Sequence, residues 1–150
     1  MQKGVDYIGI GSGAVIINTE GKLFLAKRGP KSRNEVGKWD FPGGSIEFGE
    51  KLEEGIAREI REEHDLEIEV MELLEVCNHI IEDENQHWVS PTFICTVRQG
   101  EPKICEPGKC DEIGWFSLDE IEQLDLSGSS AQNYKTIKEK FGDGMPNYYI

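Results

Sequence analysis

The segment "KLEEGIAREIREEHDL", residues 51–66, sets the tightest limit on what this chain can fold into. At about 100° per residue, Leu52, Ile56 and Ile60 share one stripe, so a helix over about residues 51–64 must lay that stripe on a core. The same wheel puts Glu63 within the apolar arc and Glu59 at its margin, with Glu62 one flank over, toward Gly55. A solvated face would carry its acids on the opposite side. Glu59 and Glu63 at i,i+4 repel by a few tenths of a kcal/mol even when exposed, and an unpaired carboxylate at a core edge costs several kcal/mol or takes up a proton. One solution is an acidic helix partly neutralised by Arg58 and Arg61. The other is a hard divalent cation, Mg²⁺ or Mn²⁺, which a helix offering acids at i, i+3 and i+4 would serve from one side.

The preceding stretch favours the second solution. Gly43, Gly44 and Gly49 let the backbone turn tightly and approach a ligand, with Glu50 just ahead of the helix. A glycine-rich loop running into a helix N-terminus is a recurring anion-binding arrangement.

Around this unit the pattern alternates strands with helices. "YIGIGSGAVIIN" and "KLFLAKR" are strand-like runs joined by the turn "TEG". "WDFPGGSIEFGE" should be a short strand entering a tight loop. "LEIEVMELLEVCNHII" and "HWVSPTFICTVRQ" are two long strands around the polar turn "EDENQ", with Pro91 expected at an edge or a bulge. "DEIGWFSL" adds a strand, "SLDEIEQL" a capped short helix, and "SGSSAQNYKTIKEKF" a final helix ending at Gly142. The expected fold is therefore α/β with a mixed sheet, as one domain over residues 1–150.

The net charge of -13 disfavours nucleic-acid polymers and anionic membranes as partners, because both repel an acidic surface. With no basic start followed by an apolar run and no window near the roughly 18 apolar residues of a membrane span, a cytoplasmic protein is expected. Cys77 and Cys95 lie in apolar runs and should be buried free thiols; Cys105 and Cys110 lack the spacing and the histidines of a zinc knuckle and fit loop or strand-end thiols. The spacing of an EF-hand calcium loop is missing too.

Taken whole, "GGSIEFGEKLEEGIAREIREEHDL" resembles the Nudix box, which runs Gly, five residues, Glu, seven residues, Arg-Glu-aliphatic-x-Glu-Glu-x-Gly-aliphatic. Its positions fall on Gly44, Glu50, Arg58, Glu59, Ile60, Glu62, Glu63 and Leu66, with Asp65 in the last glycine slot. The "FPG" before it, the segment "ICEPGKCDEIGWFSLDEI" and the pair "HW" look like the MutT-type nucleoside triphosphate branch. The resemblance implies an α/β/α sandwich around a mixed central sheet and Mg²⁺-dependent (or Mn²⁺-dependent) hydrolysis of a nucleoside triphosphate, its base normal, oxidised or otherwise modified, to monophosphate and pyrophosphate. It implies that Glu59, Glu62 and Glu63 hold the metal with the Gly44 carbonyl, and that Arg58 and Glu50 orient them. A further carboxylate from a later loop is implied, Glu106 ahead of Glu112. The partner is then a small-molecule nucleotide, with a homodimer left open.

Lys51 stands where a capping Ser, Thr or Asp is usual, at a cost of about 1 kcal/mol. Asp65 replaces glycine at a helix stop that needs a left-handed backbone, which Asp tolerates. Among Trp39, Phe41, Phe48, Trp88 and Trp115, Phe41 and Trp88 are favoured to stack on a base, and Lys27 or Arg28 to reach a phosphate. His79 and His87 are expected to be satisfied structural histidines. Within the family the rival substrate is ADP-ribose or another nucleoside diphosphate sugar; the lack of a proline between Leu66 and Ser90 counts against it. A sensing domain without catalysis would tend to have lost box glutamates, and here they are kept.

Overall fold

The computed structural model describes residues 1–149. Its frame is one mixed sheet of seven strands: β1 (Gly9–Ile17), β2 (Leu23–Arg28), β3 (Trp39–Asp40), β4 (Gly43–Ser45), β5 (Glu67–Ile81), β6 (Gln86–Gln99) and β7 (Cys110–Phe116). The path runs β3-β2-β1-β6-β5, with β4 paired to β1 and β7 to β2. Strand β1 runs parallel to β6, and the other pairings are antiparallel. Helix α1 (Leu52–His64) covers one face, and α2 (Leu118–Ile121) with α3 (Gly128–Phe141) covers the other.

The alternation of β1 builds both layers at once. Ala14 and Ile16 pack with Ile56 and Ile60 of α1 and with Phe24, Leu66 and Phe93; Val15 and Ile17 pack with Leu118, Ile121 and Ile137. Full burial of Ile56 and Ile60, each contributing about 1.5–3 kcal/mol, fixes the rotation of α1. The stripe differs from expectation at one end: Leu52 is exposed, and the third buried position is His64, one turn beyond Ile60. Its Nδ1 lies 2.9 Å from the Lys103 carbonyl and its ring meets Phe24 edge-on at 4.9 Å.

Both anomalies at the ends of α1 are as expected from sequence. Lys51 makes no side-chain cap, and Asp65 sits at φ 51°, ψ 40°, its N–H donating to the Arg61 carbonyl. By contrast, Ser117 and Glu120 form a complete capping box on α2, and Ser127 caps α3.

Pro91 lies not at an edge, since β6 is flanked by β1 and β5, but beside a bulge, the other setting expected for it. The proline is tolerated because the parallel ladder pairs Ile10 with Val89 and next Gly13 with Thr92, passing over it, while β5 shifts register nearby between Leu73 and Glu75. Cys77 and Cys95 are buried, Cys105 is exposed and Cys110 opens β7, all as free thiols. No described helix is long and apolar enough to cross a membrane.

Candidate active site

Arg58 organises the carboxylates of α1. Its Nε and Nη2 grip both oxygens of Glu50 at 2.6 and 3.0 Å, and its Nη1 donates to Glu59 and to Glu62, each at 3.0 Å. Nη2 also donates to the Ser45 carbonyl, which ties the helix to the glycine loop. The bidentate grip of Arg58, with the Glu47 N–H, holds the Glu50 carboxyl down at about 2 and raises the arginine's own pKa.

Glu63 is the opposite case. Burial, then the facing Glu59 carboxylate, with Glu106 behind it, push its pKa up to about 8. Nothing on α1 neutralises that face, because Arg58 serves the other side of Glu59.

The loop ahead of α1 approaches this face so closely that a Cβ on Gly44 would lie 2.2 Å from Glu59 Cδ. The Gly44 carbonyl is held by the Ser12 hydroxyl at 2.9 Å. Across from it, the 103–106 segment is pinned to the end of α1: the Lys103 N–H donates to the His64 carbonyl, the Cys105 N–H to the Glu63 carbonyl, and Lys103 Nζ meets Asp65 at 3.2 Å. That anchoring brings Glu106 beside Glu63 on the wall of one cavity. Glu112 lies instead on β7 opposite Lys27 and stays exposed.

The cavity, about 250 Å³, reaches from Glu63, Glu106 and Gly44 to Asn34, His79 and Asn133. Five of the chain's 16 basic side chains line it: Lys27, Arg28, Lys31, Arg33 and Lys109. Three of these escaped the sequence reasoning. Lys31 and Arg33 sit in the 29–38 loop and Lys109 in the turn before β7, segments whose spacing carries no helical or strand period.

The favoured aromatics both reach the wall but are not free to stack. Phe41 is 3% exposed within the core, and Trp88 is 4% exposed, its Nε1–H donating to Gln86 and its ring pressed on Gly4 and Gly9. Phe48 points fully into solvent, while Trp39 and Trp115 pack on Phe116 and Phe24. Arg28 is likewise committed, to Asp40 at 2.9 Å and to the Asn34 carbonyl. His79 binds Glu35 at 2.6 Å, in line with a structural role; His87 is half-buried, and its Nε2 meets no partner among the described residues.

Among the described residues no group of three or more His, Cys, Asp or Glu is already gathered as a closed metal shell. The donors nevertheless suit a hard cation: carboxylates and a fixed carbonyl around a face with surplus negative charge, left open by a glycine that cannot carry a side chain. Comparison with known proteins then decides the family, since the NUDIX domain model matches residues 8–138. The chain belongs to the NUDIX domain family. It is similar to the ADP-ribose pyrophosphatase of Methanocaldococcus jannaschii, 37% identical over 109 residues, 73% of this chain and 62% of that enzyme, so the match spans less than two thirds of that relative's length. It is also similar to the CTP pyrophosphohydrolase of Escherichia coli, 36% identical over 119 residues, 76% of this chain and 80% of that one. The MutT Nudix hydrolase structure from Burkholderia pseudomallei superposes with a TM-score of 0.79 at 33% identity, covering 88% of this chain and 99% of its own. Nudix hydrolases generally need a divalent metal such as Mg²⁺, and the mixed sheet with helices on both faces is the Nudix fold.

Proposed function

We propose that this Nudix hydrolase cleaves a nucleoside triphosphate to a nucleoside monophosphate and pyrophosphate, with Mg²⁺ or Mn²⁺ held by Glu59, Glu62, Glu63 and the Gly44 carbonyl. The observation that carries the reading is the five-cation lining of one cavity in a chain of net charge -13, directly beside the surplus carboxylates. Such a juxtaposition suits a polyanion whose charge is shared between basic side chains and a metal.

When bound, the metal would neutralise phosphate oxygens and acidify the attacking water. The chain's own residues supply the rest. Arg58 holds Glu59 and Glu62 in place, and Glu50 fixes Arg58 in turn. Ser12 aims the Gly44 carbonyl. Glu106 brings a fourth carboxylate to the face of Glu63.

The rival substrate, ADP-ribose, draws support from the archaeal relative's name. Turnover of CTP, dGTP, an oxidised dGTP and ADP-ribose by purified protein with Mg²⁺, products separated by ion exchange, decides between them. Pyrophosphate release from a triphosphate is expected. Preferential formation of AMP and ribose 5-phosphate from ADP-ribose would replace this reading, and tight binding without hydrolysis of any of the four would make the domain a sensor.

A further inference from the structure

Among the five cations that line the cavity, two are already spoken for. Arg28 is paired with Asp40, and Lys109 lies 3.4 Å from Glu106. Arg33 has no carboxylate within ion-pair distance among the described residues. Its guanidinium lies instead over the Trp88 ring, 4.4 Å from the centroid. The platform beneath it is rigid: Trp88 is buried and its Nε1–H is bonded to Gln86, whose amide donates back to the Arg33 carbonyl and accepts from Asn34. Gly29 and Lys31 donate backbone N–H bonds to the carbonyls of Lys109 and Gly108, so the 29–38 loop is strapped across the mouth between the Glu106 turn and the β5–β6 hairpin.

Held by an aromatic ring and by backbone bonds, Arg33 makes no side-chain hydrogen bond among the described residues, so its fork of donors is available to a ligand. Arg33 keeps an exposed side, yet partial desolvation by its neighbours lowers its pKa, Arg28 adds to the effect, and Glu59 and Glu63 oppose it. Those glutamates are the carboxylates of the proposed metal face. A cation in their field, with no carboxylate bonded to it, is placed to bind an anion bridging the two.

We propose that Arg33 is a substrate-binding residue that takes the end of the phosphate chain which leaves as pyrophosphate, gripping two of its oxygens while Trp88 holds the guanidinium from behind. The proposal rests on the triphosphate reading for its place in the reaction, but the anion-binding role is tested without any nucleotide. Inorganic pyrophosphate with Mg²⁺ is the probe, measured by calorimetry and as a product inhibitor. Arg33→Gln should weaken pyrophosphate binding roughly tenfold or more, as expected for loss of a charge-assisted fork, and should raise KM for a triphosphate far more than it lowers kcat. Arg33→Lys, which keeps the charge but not the fork, should recover only part of the affinity. Lys38→Gln, on the same loop but outside the cavity lining and facing Asp125 at 3.7 Å, removes one charge and should leave binding unchanged.

Pyrophosphate binding by Arg33→Gln equal to the parent overturns the proposal, as does an equal loss in Lys38→Gln, which would mark a diffuse field rather than a contact. Should Arg33→Gln melt early, Arg33→Lys carries the test, and pyrophosphate affinity in that variant equal to the parent overturns the proposal. A parent protein that binds pyrophosphate through Arg33 but hydrolyses no triphosphate sinks the substrate reading and leaves the anion site standing.

Discussion

The two sides of the cavity are built in opposite ways. On the α1 side, Glu50, Arg58, Glu59, Glu62 and Glu63 lie close in sequence, the last four delivered by the helix and Glu50 by the residues just ahead of it, with one arginine bonding three of the four acids. On the facing side, Arg33, Lys109, Trp88 and Asn133 come from four segments and meet only because loops 29–38 and 103–110 are strapped to the sheet and to α1. The first side depends on local chemistry, the second on long-range packing. Substitutions on α1 should therefore damage turnover while sparing the fold, and substitutions on the straps should alter binding first.

The largest effect is expected from Glu63→Gln and Glu62→Gln. Each should lower Mg²⁺-dependent kcat by about a thousandfold, the scale of several kcal/mol of lost charge stabilisation, with an unchanged circular dichroism spectrum. Near-normal activity in both would break the assignment of the α1 side. Next comes Arg58→Lys, which keeps a charge but cannot grip Glu50 with two bonds while reaching Glu59 and Glu62. A loss of activity of about 10–100-fold is expected, together with a weaker Mg²⁺ requirement curve, read from activity against metal concentration.

A third test uses pH. The Glu63 carboxyl, raised to about 8, binds a proton in the folded state that it would release in the unfolded one. Its contribution to stability is thus complete below the ordinary carboxylate pKa and is lost as pH rises through 8. The depressed Glu50, at about 2, acts in the reverse sense and only in acid, its contribution present above the ordinary carboxylate pKa and lost as pH falls toward 2. In chelator, the Tm should fall between pH 6 and pH 9, and Mg²⁺ should restore more of it at pH 9. The slope should flatten in Glu63→Gln. A Tm in chelator that is flat in the parent over that range would contradict the crowded-carboxylate account.

The smallest effects belong to the helix ends. Asp65→Gly relieves a left-handed backbone and loses only an exposed contact to Lys103, so a gain of about 0.5–1 kcal/mol is expected in urea melts. Lys51→Ser should add about 1 kcal/mol by supplying the missing cap. Neither should change kcat, because neither residue lines the cavity. A loss of activity in Asp65→Gly would mean that the Lys103 contact, and with it the placement of Glu106, matters more than the backbone.

How far each side was legible follows from this difference. The odd position of Glu63 on the helical wheel and its raised pKa are one fact seen twice, because a period of 3.6 residues turns spacing directly into proximity. His64 could have been found the same way, since it stands one turn beyond Ile60 on the buried stripe. The expectation for Leu52 failed because the first turn of α1, residues 52–54, is left exposed, which no wheel can show. Phe41 and Trp88 line the cavity, but their burial is set by Gly4, Gly9 and the core around them, residues far from both in sequence. Pro91 marked an irregularity but not its kind: the gap in the parallel ladder and the bulge in β5 depend on the partner strands as well as on the proline.

By itself, then, the sequence determined the α/β frame, the acidic helix with its arginine, the left-handed stop at Asp65 and the identity of the carboxylates that crowd one face. Tertiary structure alone decided that Glu106 rather than Glu112 joins them, that Arg28 is tied to Asp40, and that Arg33 lines the cavity with no carboxylate partner among the described residues. Local spacing within a helix is fixed by backbone hydrogen bonds between near neighbours, so it can be computed from order along the chain. Proximity between loops is fixed by which distant partners satisfy their backbone and side-chain groups, and that is known only once the whole chain has packed.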